Sequence, residues 1–500
     1  MSRTFSLTPG WRRCLITSFW IVFVLRVAML FQIPITDNSE SRYAEMARWM
    51  VASGNWITPE IEPGIPFWAK PPLSMWVSAC GIKIFGPNEF GARIFIFLTA
   101  CAVLLLIYRW AAKQRGKDFA LISSFILFTA PVFVVTSGSV MTDLVMTAGT
   151  TLCMVSFWNV MTGSGSSRRW NTLFFFGLAI GLLAKGPIAT VLTLLPIGTW
   201  AFMTRLVGES WKRLPWLRGG FFTLALVAPW YIAAEIRTPG FLDYFLLGEH
   251  LKRFLVPGWE GDLYGSAHSE ARGTIWLFGL SATFPWSMVL LFMGPVFFRR
   301  HASIRDGLRE ENHPWLYYLL CWSLAPLFFF TLSRNIISTY TLTGVPAIAL
   351  VIPELWRLAQ APEKRLRIFL GIGTAFSLLT IFGIWVCYLW FEDFAPKRSE
   401  KRITEIVKNS REFDASSLHY LGSRRYSASF YRNGEVDFIK PDKVPDLLTN
   451  KKHDVLVLGK KEENRLSSLL SPNFRKVAEI GHRSLFSEIP TSTDVRSPKN

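Results

Sequence analysis

The stretch Asp37 to Ser74 reads DNSESRYAEMARWMVASGNWITPEIEPGIPFWAKPPLS, with acids at Asp37, Glu40 and Glu45 and bases at Arg42, Arg48 and Lys70. A carboxylate here could take a proton from an incoming hydroxyl or amine, which makes Glu40 and Asp37 the candidate bases. Lys70 precedes Pro71 and Pro72, whose fixed φ makes a rigid corner and aims that one lysine. As a point charge it suits a phosphate, and Arg42 and Arg48 could serve similarly. Residues 39–50 carry a helical pattern, with Ser39 as N-cap and Tyr43, Met46, Ala47 and Met50 on one face. Glu45 and Arg48 then read as its solvated face, and a short amphipathic helix right after an apolar run is expected to lie in a membrane interface.

Other reactive groups stand at the ends of apolar runs. Asp143 opens one such run, where a carboxylate suits the helix dipole or is put to use. Lys185-Gly186-Pro187 breaks another, so Lys185 is either a snorkelling lysine or a second phosphate-binding cation. The polar stretch 237–272 holds Glu249, His250, Arg253, Asp262, Tyr264 and His268. Glu249, His250, Asp262 and His268 leave a divalent cation open, although their spacing fits no standard zinc pattern, and aromatic rings among polar groups equally suit sugar stacking. Arg334, in the turn SRNIISTY, is a further candidate phosphate contact. The candidate phosphate contacts are thus Lys70, Lys185, Arg253 and Arg334, and the further candidate substrate contacts Arg42, Tyr43, His250, His268 and Tyr340, with Asp143 beside the two candidate bases.

These residues need a frame, and the composition supplies one. Half of the 500 residues are hydrophobic, among them 41 Phe and 21 Trp. Apolar runs near 14–34, 89–111, 118–138, 142–162, 171–184, 187–205, 216–236, 273–298, 314–332, 338–356 and 367–390 approach or exceed the roughly 20 residues that cross a hydrocarbon core. The sequence thus predicts a polytopic helical membrane protein of about eleven spans. The formal charge of +18 could suggest nucleic acid, but the bases fall in alternate short loops, as the positive-inside rule requires of a cytoplasmic face. That rule puts the N-terminus in the cytoplasm and, with an odd count, the C-terminus outside. All the candidate chemistry gathers on the outer face. Arg26, inside the first run, is the main ionisable exception. The six cysteines lie in apolar segments without CxxC spacing, which argues against a disulfide framework.

Beyond residue 390 the long apolar runs stop. Strand-like runs at 418–421, 436–439 and 454–458 alternate with polar helical stretches such as 401–410. The reading is a membrane domain over 1–390, with outer loops 35–88 and 237–272, and a small soluble α/β domain over 391–500 whose tail from Thr491 is disordered.

In order along residues 10–356, Glu40-Ser41-Arg42-Tyr43-Ala44-Glu45, Ala52 to Ile57, Lys70-Pro71-Pro72-Leu73, Thr142-Asp143, Lys185-Gly186, Pro229-Trp230-Tyr231, Arg253-Phe254, Pro285-Trp286-Ser287 and Thr339-Tyr340 resemble a family. It is the bacterial glycosyltransferase family that includes the lipid A aminoarabinose transferase, related to the protein O-mannosyltransferases and built on the class C membrane fold. The resemblance implies a polyprenyl-phosphate-linked sugar as donor, a reaction on the periplasmic face of the inner membrane, and the lipid phosphate as leaving group. Lipid A, another envelope glycan and protein all stay open as acceptor. Three positions depart from the family pattern. Its acidic pair falls on Ser39-Glu40, its glutamate before the Lys-Pro-Pro corner on Ala69, and its lysine after the Ser-Arg turn near Ile336. The rival readings are a transporter, which would bind near the bilayer midplane through broken helices, and a non-catalytic binder of lipid-linked sugar.

Overall fold

The structure, a computed structural model, describes residues 6–37, 39–163, 167–265, 268–309, 315–360, 362–390, 399–410, 413, 417–422, 424–450 and 453–489. The junction 391–398 and the tail from Thr491 lie outside the described residues. Helix α1 spans Pro9–Gln32, α2 Ser39–Ser53, α3 Leu73–Phe85, α4 Glu89–Arg115, α5 Lys117–Thr129, α6 Pro131–Thr136, α7 Thr142–Met161, α8 Ser167–Lys185, α9 Ile188–Met203, α10 Val207–Arg213 and α11 Trp216–Arg237. Then come α12 (Thr274–Ala282), α13 (Trp286–Arg299), α14 (Trp315–Thr331), α15 (Val345–Ala359) and α16 (Glu363–Trp390).

Among the described residues six helices are long and apolar enough to cross a membrane, seven if the α12–α13 pair, bent by 98°, counts as one span. The sequence reading of eleven is not reached by this test. Four runs account for the difference: α8 has 19 residues but opens on Arg168 and Arg169, the run 118–138 is split between α5 and α6, and α9 and α14 are apolar but have only 16 and 17 residues. At 1.5 Å per residue they fall short of a hydrocarbon core of about 30 Å. Leu217, Phe221, Ile232 and Ile236 stand exposed on α11, as a lipid-facing surface requires.

Arg26 stays inside the bundle because α6 ends at Thr136 and its last-turn backbone carbonyls are left to be satisfied. Its Nε donates to the Val134 carbonyl at 3.0 Å and to Ser137 Oγ at 3.1 Å. Gly138 makes room for it, since a Cβ there would lie 1.6 Å from Arg26 Nη2. Gly138→Ala should therefore displace the guanidinium and cost about 1–3 kcal/mol, seen as a lower Tm in detergent. At the opposite end, Arg115 and Arg357 clamp the fully buried Glu354.

The C-terminal part is a five-stranded mixed sheet in the order β4-β3-β5-β7-β6. Its strands are β3 (Ser417–Leu421), β4 (Asp437–Ile439), β5 (Asp454–Gly459), β6 (Phe474–Ile480) and β7 (Arg483–Glu488), and a short hairpin at Glu60–Glu62 and Ile65–Pro66 supplies β1 and β2. Strand β3 runs parallel to β4 and β5, while β7 is antiparallel to β5 and β6. Two helices, α17 (Lys401–Asn409) and α18 (Tyr426–Tyr431), join this sheet to the membrane body. Phe430 of α18 is fully buried in one apolar cluster with Ile35, Met46 and Met50, so the two parts share a core.

That docking corrects the reading of α2. It does not present a solvated face, because the C-terminal part covers it. Glu45 and Arg48 are each 6 % exposed and pair with each other at 2.7 Å. Glycine is required at 434, where φ is +90° and a Cβ would come within 2.8 Å of Arg48 Nη2.

Candidate functional site

Three loop segments converge on the end of the bundle where α7 begins and α8 ends. The first is the Lys-Pro-Pro corner. Its approach is strapped down, as the Trp68 N–H donates to the Tyr264 hydroxyl at 3.0 Å and that hydroxyl donates to the Pro66 carbonyl at 2.8 Å. The Trp68 indole donates to Thr238 Oγ1 at 3.1 Å. Lys70 follows at once, and Pro72 stops the chain before α3, so the ammonium is presented from a fixed base.

The second segment, 241–255, is a helical stretch whose middle, Tyr244–Lys252, is wound as a wide π-helix. It brings Glu249 to Lys70 and Arg253. Glu249 accepts a bond from Lys70 Nζ and takes both its oxygens to Arg253 Nη1, at 2.7 and 2.8 Å. Arg253 Nη2 lies 3.4 Å from Asp262. Burial alone would lift the Glu249 carboxyl, but the Lys70 and Arg253 charges overrule it and hold it below the usual range. Burial also pulls the Lys70 ammonium below its ordinary value, opposed by Glu249 and reinforced by Arg253. Sequence reasoning named Glu249 only as a metal ligand and missed this bridging role. Its one local signal was the i, i+4 spacing to Arg253.

The third segment is the Lys185-Gly186-Pro187 break. Gly186 has φ +86°, and a Cβ there would meet the Phe245 ring at 2.5 Å, so only glycine lets the chain turn here. Lys185 does not snorkel away. Its Nζ bonds Asp143 Oδ1 at 2.6 Å, both groups are buried, and it sits 4.5 Å above the Tyr340 ring. Among the described residues Asp143 Oδ2 has no protein partner. His250 braces the break: Nδ1 lies 2.7 Å from the Phe245 carbonyl and Nε2 3.2 Å from that of Lys185. Burial lowers the His250 pKa, so the neutral ring donates to one of these carbonyls.

Together these groups line two connected cavities. The outer chamber, of about 390 Å³, is polar and touches Arg42, Tyr43, Asp143, Asp262 and His268. The inner pocket, of about 70 Å³, mixes cations with Met146, Ile188, Phe254 and Phe330. Lys70, Lys185, Arg253 and Tyr340 line both and so mark the junction.

Three nominated residues lie elsewhere. Arg334 is exposed and donates to the Glu270 carbonyl at 3.0 Å, where it staples a turn instead of facing the cavities. Glu40 is 6 % exposed and held by Arg93 through bonds of 2.7 and 2.9 Å, with Thr36 and the Val140 N–H on the same oxygens. Asp37 accepts from Ser41 Oγ and from the N–H and Oγ of Ser427, which ties α2 to α18. Neither acid lines the chamber. Removing one partner of a buried ion pair costs about 3–5 kcal/mol, so Arg93→Leu and Glu40→Gln should both lower the Tm by several degrees, as differential scanning fluorimetry would report. Among the described residues no three His, Cys, Asp or Glu side chains are placed to hold a metal ion.

Comparison with known proteins places the chain among membrane glycosyltransferases by similarity. The sequence pattern of the dolichyl-phosphate-mannose-protein mannosyltransferase family matches residues 13–245. The chain is 26 % identical over 417 residues to the undecaprenyl phosphate-alpha-4-amino-4-deoxy-L-arabinose arabinosyl transferase of Erwinia tasmaniensis, covering 79 % of this chain and 70 % of that protein. It is 27 % identical over 375 residues to the enzyme of the same name from Aeromonas hydrophila, covering 73 % and 63 %. The chain spans about two thirds of the length of these relatives. Its fold is similar to the crystal structure of ArnT from Cupriavidus metallidurans bound to undecaprenyl phosphate, with a TM-score of 0.77, 18 % identity, and 99 % of this chain and 100 % of that one covered. The apo form of that protein gives a TM-score of 0.75.

Proposed function

We infer that the chain is a member of the lipid A aminoarabinose transferase-like glycosyltransferases, the protein O-mannosyltransferase-related group with the class C membrane fold. From that premise we propose that it moves a sugar from undecaprenyl phosphate to an acceptor at the periplasmic face of a bacterial inner membrane. The observation that carries the reading is the junction of the two cavities. Lys70 and Arg253 share Glu249 there, at the point where a polar chamber meets apolar walls. A lipid phosphate needs that arrangement, with its charge among cations and its chain leaving through hydrocarbon. Further along α9 and α14, an apolar groove of about 460 Å³ lined by Leu195, Leu324 and Phe328 offers a track for the isoprenoid.

In the reaction an acceptor oxygen or nitrogen attacks the anomeric carbon. The bond from that carbon to the phosphate oxygen breaks, and undecaprenyl phosphate departs with the electron pair. Lys70 and Arg253, with Lys185 nearby, stabilise the charge developing on it. The acceptor's proton would pass to Asp143, a reading supported by its place on the chamber wall and by Lys185 holding one of its oxygens. A single displacement inverts the anomeric centre. The acceptor is an envelope glycolipid of the lipid A type, another glycan or a protein.

We propose eleven crossings, since all eleven apolar runs fold as helical segments and a bilayer thins locally around short ones such as α9 and α14, with the N-terminus in the cytoplasm and the sheet domain over 391–500 in the periplasm. The polar groups gather at one end of the bundle, which favours an enzyme over a midplane transporter. The test is transfer in proteoliposomes from a panel of radiolabelled undecaprenyl-phosphate sugars to total envelope lipid. Label leaving one donor for an acceptor lipid supports the reading. Binding of the donor without transfer, across the panel, would favour a non-catalytic binder.

A further inference from the structure

The outer chamber is closed partly by residues that come from the C-terminal domain. Arg424 and Tyr426 line it beside Arg42 of α2, and none of the three lines the inner pocket. The Arg42 guanidinium lies 5.6 Å from the centre of the Tyr426 ring, and that of Arg424 5.7 Å from the same ring. Two positive groups thus flank one phenol across the seam between the domains. Stacking on an aromatic face holds a guanidinium in place while leaving its N–H edge free to donate.

That edge is underused. Lys70, Lys185 and Arg253 each have a carboxylate partner, and Arg424 is paired with Glu62 of the β1–β2 hairpin. Arg42 has none among the described residues. The Nε of Arg42 and that of Arg424 are both buried without a hydrogen-bond partner. Around the joined cavities the five cations (Arg42, Lys70, Lys185, Arg253, Arg424) face three carboxylates (Asp143, Asp262, Glu249). Burying guanidinium donors without acceptors costs free energy, which a bound anion would recover. The single phosphate of a polyprenyl-phosphate sugar is already served by Lys70 and Arg253 at the inner junction, so this second anion belongs to the other substrate.

We propose that Arg42, Arg424 and Tyr426 form a binding site for an anionic group, a phosphate or a carboxylate, on the headgroup of a glycolipid acceptor. The C-terminal domain is then part of the acceptor site. This rests on the transfer reading above for the word acceptor, but the site itself is tested by binding. Arg42 and Arg424 are positioning groups here, with no part in bond breaking.

The experiment uses the full chain in nanodiscs and measures affinity for a bisphosphorylated glycolipid, its dephosphorylated form and a carboxylated analogue, with undecaprenyl phosphate as a fourth ligand. The wild type should bind one of the two anionic glycolipids at least tenfold more tightly than the neutral one, and which of the two identifies the anion. Arg42→Ala and Arg424→Ala should each remove about tenfold of that preference, leave the neutral form unchanged and keep undecaprenyl phosphate within twofold. Since Arg424→Ala also breaks the link to Glu62, Glu62→Gln serves as a second variant. It breaks the same link while sparing the cation, and it should retain or strengthen anionic binding. Equal losses for charged and neutral glycolipid, or a parallel loss for undecaprenyl phosphate, would overturn the proposal. A chain that transfers no sugar from any donor yet shows the charge-dependent preference would retire the transfer reading and leave the anion site standing.

Discussion

Lys70→Ala should lower sugar transfer by about 10²–10³-fold, the loss seen when one preorganised donor to a developing oxyanion is removed. The geometry explains why no neighbour would compensate. Lys70 is delivered by a corner fixed by two prolines and strapped by Tyr264 and Thr238, and Arg253 reaches the junction from a different segment, its Nη1 already donating to both Glu249 oxygens. Removing Lys70 also leaves Glu249 with Arg253 alone, which strengthens the competition between that carboxylate and an incoming phosphate. Lys70→Arg keeps the charge but replaces a compact ammonium with a planar fork, so partial recovery is expected. Initial rates in proteoliposomes with one radiolabelled donor would show this. Activity within threefold of wild type in Lys70→Ala would move the phosphate away from the corner and undo the site assignment.

Much of the site could be read from residue types at the ends of apolar runs. A lysine before two prolines, an aspartate opening a helix and a lysine breaking a hydrophobic stretch all sit where membrane proteins rarely place charge without use. Lys70, Asp143 and Lys185 could be nominated for that reason, and Arg253 from its place in the polar stretch 237–272 and in the Arg-Phe motif. Their pairing was not legible, because Glu249 lies 179 residues from Lys70 and Lys185 lies 42 from Asp143. The same limit hid the Glu40–Arg93 pair, which turns a candidate base into a buried brace. Helix α2 looked solvated because its cover, α18, comes some 390 residues later in the chain, as the Asp37–Ser427 bond measures. Arg424 and Tyr426 gave no signal at all, since a basic turn in a soluble domain is ordinarily surface. In the C-terminal sheet, the apolar runs at β3 and β5 could be recognised. The β6–β7 hairpin, whose outer strand carries Arg475, Lys476 and Glu479, could not be recognised from hydrophobicity.

Glu249→Gln should shift the pH dependence of the enzyme rather than merely weaken it. The proposed role of Lys70 at the donor phosphate needs its charged form, and burial already holds its pKa below the ordinary lysine value, with Glu249 working against that pull. For a cation whose folded pKa is depressed, the charged form is lost as pH rises through the depressed value. Activity therefore falls on the alkaline side. Deleting the Glu249 charge removes the opposing effect, so the lysine gives up its proton at still lower pH. Loss of an adjacent opposite charge is worth about 1–3 pH units, and the alkaline limb of kcat/KM should move toward neutrality by that much. The limb of kcat should move less, because in the occupied site the donor phosphate takes over as counter-ion, and kcat reports groups in the bound complex while kcat/KM reports the free enzyme. A full pH–rate profile of the two proteins separates these cases. Parallel profiles differing only in height would mean that Glu249 does not govern the charge of Lys70, and equal shifts in both parameters would mean that the phosphate does not reach it.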